Sequence, residues 1–138
     1  MDPPLAGPAN MALDHALARC LAPGEGVLRF YAWSSPTVSF GRNEPARGLY
    51  LEDDARRAGV DFVRRPTGGR VVLHDRELTY AVGFPLGAWG GLKESYRLIN
   101  RGLLVGLRLL GAAVDLARGT GPGLAPSAGP CFRQPAEG

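Results

Sequence analysis

The run from Arg64 to Asp75 constrains the fold more than any other stretch of this chain. It reads Arg-Arg-Pro-Thr-Gly-Gly-Arg-Val-Val-Leu-His-Asp and lies between apolar, strand-like segments at residues 60–63 and 71–73. Adjacent glycines let backbone N–H groups converge on a ligand, because no Cβ keeps the ligand away. Arginine adds planar donors that suit phosphate or carboxylate. The run therefore predicts an anion-binding loop between two strands.

An ordinary hairpin turn at Gly68 and Gly69 is the alternative interpretation, since glycine pairs commonly close hairpins. Neither standard phosphate-binding motif decides the matter. The chain contains no Gly-x-x-x-x-Gly-Lys and no Gly-x-Gly-x-x-Gly. The chemistry of the run alone leaves both interpretations open.

The composition is that of a soluble, globular chain of at most one domain. Its 138 residues can bury a core, and no apolar run approaches the roughly 18 residues of a membrane span. The first residues lack the basic and apolar regions of a signal peptide, so we expect a cytoplasmic protein. The net charge is only +3, and no basic stripe is interleaved with aromatic residues. This pattern argues against a nucleic-acid partner.

Hydrophobic periodicity predicts the order of the regular elements. In chain order these are a helix at 11–21, strands at 27–33 and 37–40, a helix at 49–58, strands at 61–64 and 77–84, a helix at 92–110 and a strand at 113–117. Residues 118–138 are rich in Gly, Pro, Ala and Ser, which predicts an irregular loop or tail. This order predicts an α+β domain with a mainly antiparallel sheet flanked by helices.

Three local predictions accompany these elements. Asn10 is expected to cap the first helix, and Cys20 to lie on its apolar stripe as a small buried side chain. In the strand at 77–84, apolar residues such as Tyr80 alternate with others such as Thr79, as in a half-buried strand.

Several segments match one protein family in order and spacing. The run from Arg64 to Asp75, continued by Glu77-Leu78-Thr79-Tyr80, resembles the signature of the biotin/lipoate protein ligase and octanoyltransferase family. The resemblance is closest to the cysteine-dependent octanoyltransferases and runs from about residue 10 to residue 132. The other matching segments are Asn10-Met11-Ala12-Leu13-Asp14, Leu28-Arg29-Phe30-Tyr31-Ala32-Trp33, Ser39-Phe40-Gly41-Arg42, Ser95-Tyr96 and Cys131-Phe132.

This resemblance implies a fold and an activity. The complete enzyme would transfer an octanoyl or lipoyl group from acyl carrier protein to a lysine of a lipoyl carrier domain, in protein lipoylation. Cys131 matches the nucleophile that holds the acyl group as a thioester. The family's assisting lysine has no match, and the family's domain continues beyond Gly138. We therefore expect residues 1–138 to be a single, partial catalytic domain, truncated and inactive as it stands.

The resemblance also implies a binding site for the acyl donor. Its candidate residues are Arg65, Thr67, Gly68, Gly69, Arg70, His74 and Asp75, with Trp33 and Arg42 as further candidates. Arg70 stands where the family's ATP-dependent ligases have glycine, and Glu77-Leu78 stand where they have Gly-Asn. Both departures favour the transferase branch. No metal and no cofactor is implied.

Two alternatives remain open at this point. The first is an ATP-dependent lipoate or biotin protein ligase, which would use ATP and a free acid and would not need Cys131. The second is an inactive, truncated binding module that keeps the pocket alone. For His74, a structural role beside a neighbouring carboxylate would give the same sequence pattern as a ligand-binding role.

Overall fold

The computed structural model describes residues 3–46 and 52–116. Contacts between Cα atoms divide the described residues into two compact units, one ending at Phe84 and one beginning at Pro85. Predictions that fall on residues 47–51 and 117–138, including those for Cys131 and the irregular tail, lie outside the described residues. The expectation of a single partial domain stays a prediction.

The helices and strands follow the predicted order. They are α1 (Gly7–Arg19), β1 (Val27–Tyr31), β2 (Thr37–Phe40), α2 (Glu52–Arg57), β3 (Asp61–Arg64), β4 (Val72–His74) and β5 (Thr79–Gly83) in the first unit, and α3 (Leu92–Leu109) in the second. The predicted α+β class is confirmed. The prediction of a strand at 113–117 is wrong for residues 113–116, which are irregular, and residue 117 lies outside the described residues.

The described strands form two small sheets. In one, β1 and β5 pair antiparallel, with Phe30 opposite Tyr80. In the other, β2 is central, with β3 parallel on one side and β4 antiparallel on the other. The sheets are thus mainly antiparallel, as predicted, and the β2–β3 pair is the exception. Because β2 separates them, β3 and β4 do not pair.

Helix α1 begins at Gly7, before the predicted start at Met11, and Pro8 favours this earlier start because its fixed φ suits a first helical turn. Asn10 is therefore not the cap. Its buried side-chain amide donates to the carbonyl oxygens of Leu5 and Ala32, at 3.0 and 3.1 Å. The side chain ties the incoming chain to the end of β1.

Cys20 is exposed, so the prediction of a buried side chain is wrong. The residue follows the last helical position, and its backbone has left helical geometry with ψ near 2°. The apolar spacing of α1 therefore does not extend to it.

A buried polar cluster fastens α1 to β1. The guanidinium of Arg29 donates to Asp14 Oδ1 and to Asn10 Oδ1, both at 2.7 Å, and lies over the Tyr31 ring at 4.0 Å. The Tyr31 hydroxyl donates to Asp14 Oδ2 at 2.9 Å. Arg29 is only 6% exposed, and such a burial is tolerable only because the charge is paired and hydrogen-bonded.

The hydrophobic core beside this cluster is small. Met11, Tyr31 and Trp33 form it, and Val63 and Ala81 pack against it. In β5 the inward face is therefore the one that carries Ala81 and Thr79, whereas the side chain of Tyr80 is 40% exposed.

We expect Tyr31 to make stability fall at alkaline pH. Burial, and secondarily the hydrogen bond to Asp14 and its negative charge, raise the pKa of Tyr31 above the tyrosine range, against the opposing charge of Arg29. Unfolded tyrosine loses its proton near pH about 10, so the folded state binds more protons above that pH and stability is lost as pH rises. Urea titrations across this range should show a shallower fall for Tyr31→Phe. Tyr96→Phe, at an exposed position, serves as control, and an unchanged slope in Tyr31→Phe contradicts the prediction.

Candidate functional site

The glycine-containing run crosses the end of a strand. It leaves β3 at Arg64 and enters β4 at Val72, and these strands flank β2 on opposite sides. Residues 65–71 must therefore pass over the carboxyl end of β2. A hairpin closed by Gly68 and Gly69 would require β3 to pair with β4, so the hairpin interpretation is wrong.

Backbone contacts fix the crossing point. The N–H of Arg65 donates to Phe40 O at 2.9 Å, and the N–H of Arg42 donates to Thr67 O at 2.8 Å. Between these bonds the backbone of Gly41 lies directly against the carbonyl group of Gly69, with no room for a side chain. Gly69 itself has φ of 95°, in the left-handed region that glycine tolerates best.

The Arg65 guanidinium braces the loop from inside. It donates to the backbone oxygen of Ser39 at 2.9 Å, to Gly68 O at 3.0 Å and to Arg70 O at 2.6 Å, and it also reaches Ser39 Oγ at 3.1 Å. The neighbouring Arg64 side chain donates to Gly41 O at 2.7 Å. Both arginines thus hold the loop as well as charging it, which the sequence pattern alone does not reveal.

The outer side of the loop presents backbone donors. Within the described part of the chain, the N–H groups of Thr67, Gly68 and Gly69 donate to no acceptor, and all three residues are exposed. Arg42 is exposed and Arg70 half-buried near the same crossing. Neighbouring exposed N–H donors with arginine nearby are suited to an anion or a polarised carbonyl.

His74 contacts Ser39, the residue that Arg65 also binds, and is 8% exposed. Its Nε2 lies 2.7 Å from Ser39 Oγ, and its Nδ1 lies 2.6 Å from Glu77 Oε1. The carboxylate that holds the ring is thus Glu77 rather than the adjacent Asp75, which is exposed.

Trp33 forms the other half of an aromatic stack. Its ring lies 4.1 Å from that of His74 with an angle of 15° between the planes, and it is 7% exposed. The indole N–H donates to Thr79 Oγ1 at 2.8 Å, and that hydroxyl donates to Glu77 Oε1 at 2.6 Å. A tryptophan can be buried here because its single donor finds an acceptor.

An open groove of about 470 Å³ runs beside this stack. Residues 32–36, which include Trp33, line one side, and residues 75–78 line the other, with Asp75 at the rim. Ala32, Pro36 and Leu78 give the groove apolar surface.

The structure therefore sorts the predicted site residues into two groups. Arg65, Thr67, Gly68, Gly69 and Arg70 form the loop, with Arg42 beside it, whereas Trp33, His74 and Asp75 lie at the stack and groove. Three residues that join or support them were not predicted as site residues, namely Ser39, Glu77 and Thr79. The spacing of Glu77 three residues after His74 was the available signal.

Neither a metal-ligand cluster nor a membrane-spanning helix occurs in the described part of the chain. Among residues 3–46 and 52–116, no group of three or more His, Cys, Asp or Glu could hold a metal ion. In the same ranges, no helix is long and apolar enough to cross a membrane.

Comparison with known proteins identifies the class. Residues 7–125 match the family described as lipoyl protein ligase A/B catalytic domain, and the chain belongs to that family. It is similar to Octanoyltransferase LipM of Kyrpidia tusciae, at 45% identity over 91% of this chain and 49% of that protein. It is equally similar, at 45%, to Octanoyltransferase LipM of Symbiobacterium thermophilum, over 82% of this chain and 42% of that protein. The chain spans about half the length of these relatives.

Solved structures of lipoate ligases share the fold. A putative lipoate protein ligase from T. acidophilum with bound lipoic acid matches 80% of this chain and 49% of its own, with a TM-score of 0.62 and 28% identity. A structure of a bipartite lipoate protein ligase and its E2 lipoyl domain from Thermoplasma acidophilum matches 86% of this chain and 49% of its own, with a TM-score of 0.64 and 27% identity. Lipoate-protein ligase A bound with ATP matches 80% of this chain and 48% of its own, with a TM-score of 0.63 and 28% identity.

We expect the loop crossing to depend on the missing side chain of Gly41. A Cβ there would meet the carbonyl carbon of Gly69 at 2.8 Å and that of Gly68 at 3.2 Å. Gly41→Ala should lower the unfolding free energy by about 1–3 kcal/mol, as overpacking does. Gly68→Ala is the matched control, because its Cβ meets open space. Thermal melts that place both variants at the wild-type midpoint contradict the described crossing.

Proposed function

We propose that this chain belongs to an enzyme that transfers an octanoyl group from acyl carrier protein to a lysine of a lipoyl carrier domain. The observation that carries the proposal is the 45% identity to octanoyltransferases over 91% of the chain. One structural neighbour is a lipoate protein ligase solved with its E2 lipoyl domain, which supports a lipoyl domain as the acceptor. The cytoplasm is the proposed setting.

The glycine loop would hold the reacting end of the acyl donor. Attack on a thioester places negative charge on the carbonyl oxygen, and N–H donors aimed at that oxygen stabilise it. The N–H groups of Thr67, Gly68 and Gly69 would supply this stabilisation, with Arg70 and Arg42 adding positive charge nearby. Arg65 would contribute by keeping the loop in shape.

The groove beside Trp33 would receive the acyl chain. Apolar surface from Ala32, Pro36 and Leu78 suits a saturated chain, whose burial is favourable by about 0.8 kcal/mol per CH₂. Trp33 would form part of the wall, with His74 stacked on its ring, and Asp75 would lie at the polar mouth.

Cys131 would be the nucleophile. Its thiolate attacks the donor thioester, a new thioester forms on Sγ, and the carrier's thiol leaves with a proton. The amine of the lipoyl-domain lysine then attacks the acyl-cysteine, an amide forms, and Sγ is released.

ATP-dependent lipoate ligation is the second candidate function. The similarity to a ligase solved with ATP and to one solved with lipoic acid favours it. In that case the glycine loop would hold the phosphate of an acyl-adenylate, and ATP would be the cosubstrate.

Mass spectrometry can separate the two functions. After a complete version of the protein is mixed with octanoyl-acyl carrier protein, its mass should rise by one octanoyl group, and Cys131→Ser should abolish the gain while Cys20→Ser keeps it. Labelling that persists in Cys131→Ser and disappears in Cys20→Ser contradicts the assignment of the nucleophile. Octanoyl-adenylate formed from ATP and octanoate, with no acyl-cysteine, would establish the ligase instead.

The loop's role can be tested at Gly68. Because a Cβ at this position meets open space, Gly68→Ala should melt at the wild-type temperature. The same Cβ would occupy the space proposed for the donor's carbonyl, so octanoyl-acyl carrier protein should bind about tenfold more weakly, a loss of about 1.4 kcal/mol. Titration followed by fluorescence anisotropy measures this. Normal binding by the folded variant means that the donor does not approach the loop at Gly68.

A further inference from the structure

The hydrogen bonds around His74 have a defined direction. Trp33 Nε1–H donates to the Thr79 hydroxyl, which donates its own proton to Glu77 Oε1. A carboxylate oxygen only accepts, so the His74 nitrogen 2.6 Å from it, Nδ1, carries a proton. The hydrogen bonds that lead from Trp33 through Thr79 to Glu77 therefore specify the tautomer of the His74 ring.

The hydrogen bonds at the other side of the ring, from Arg65 through Ser39, give the same tautomer. Arg65 Nη1–H donates to Ser39 Oγ at 3.1 Å, which leaves the hydroxyl proton of Ser39 to be placed. Ser39 is fully buried, and in the described part of the chain His74 Nε2, at 2.7 Å, is the acceptor that its hydroxyl reaches. This contact makes Nε2 the acceptor, which corresponds to the imidazole tautomer with its proton on Nδ1.

Ser39, His74 and Glu77 have the order and distances of a nucleophilic triad, yet they cannot act as one. A triad serine must reach the substrate. Ser39 has no exposed surface, and its oxygen is occupied by Arg65 and His74. The arrangement orients the imidazole ring and does not activate the serine.

One carboxylate oxygen supports both rings of the aromatic stack. Glu77 Oε1 accepts from His74 directly and from Trp33 through Thr79. Its removal would take a partner from His74 directly and from Thr79, to which Trp33 donates, whereas the side chain of the exposed Asp75 holds neither ring.

We propose that Glu77 and Ser39 are positioning residues, which hold His74 in the Nδ1–H tautomer and in the plane stacked on Trp33. Both ring nitrogens of His74 are then occupied, by Ser39 and by Glu77, and neither is available to whatever lies in the groove. That this occupant is an acyl chain rests on the proposed function, whereas the tautomer and the stacking do not.

Nitrogen NMR of the full chain, labelled with ¹⁵N-histidine, tests the arrangement. The chain has two histidines, and His15→Gln assigns the signals. In the neutral ring we expect the proton on Nδ1 of His74. Glu77→Gln should keep this proton protected from exchange, because the amide oxygen accepts in the same place, and Asp75→Asn should leave it unchanged. Glu77→Ala should expose it to rapid exchange with water.

Octanoyl uptake provides the second readout. Displacement of His74 and of Trp33, which lines the groove, by a fraction of an ångström to 1 Å should slow uptake on the order of tenfold to a hundredfold in Glu77→Ala, with most of the rate kept in Glu77→Gln. A proton on Nε2 in the wild type, unchanged exchange in Glu77→Ala, or equal uptake by the Ala and Gln variants overturns the proposal. If the wild type takes up no octanoyl group while its ring is Nδ1–H, the proposed function fails and the positioning of the ring stands.

Discussion

The Arg65 guanidinium is the interaction on which the shape of the site depends. It binds the last part of β2 through the backbone and hydroxyl oxygens of Ser39 and the crossing loop through Gly68 O and Arg70 O. A loop that crosses a strand end without pairing to it has few backbone bonds of its own, and the arginine supplies the missing donors. Lysine could not replace it, because a single ammonium lacks the planar fork that reaches several oxygens at once.

The interior of the first unit is unusually polar. Among its described residues, the largest fully buried side chains are Asn10, Thr37 and Ser39, and five apolar residues are buried, three of them in one cluster. In such an interior each donor must find an acceptor, since an unpaired buried polar group costs about 1–3 kcal/mol. Hydrogen bonds between specific buried side chains therefore stabilise this unit together with its small apolar core. Because hydrogen bonds are directional, they also fix the orientation of these side chains.

The order of elements and the glycine loop were predictable because they are local properties of the chain. Strand β3 was predicted with its observed bounds, and the signature at 64–75 pointed to the loop before its geometry was known. The contact of Glu77 with His74 is local and was signalled by its spacing, whereas the contact of Ser39 was not predictable, because Ser39 meets His74 only once β2 and β4 pair. The inward orientation of Thr79 was not predictable either, because the alternation of apolar residues predicts that Tyr80 is buried. The Thr79 hydroxyl faces inward because it accepts from the indole N–H of Trp33, a contact between distant parts of the sequence.

The same network explains why the two halves of the candidate site belong together. In the loop, Thr67, Gly68 and Gly69 are exposed and their N–H groups have no acceptor in the described part of the chain, and in the stack, Trp33 lines the groove. Between them, Ser39 accepts from Arg65 and donates to His74, so a shift of the loop alters the partner of the ring without any direct contact between loop and ring. A ligand that spanned both parts would need a polar head and an apolar tail, and a fatty acyl thioester has that division along its length. Its head would meet donors already held in place, and this preorganisation lowers the cost of stabilising charge during acyl transfer.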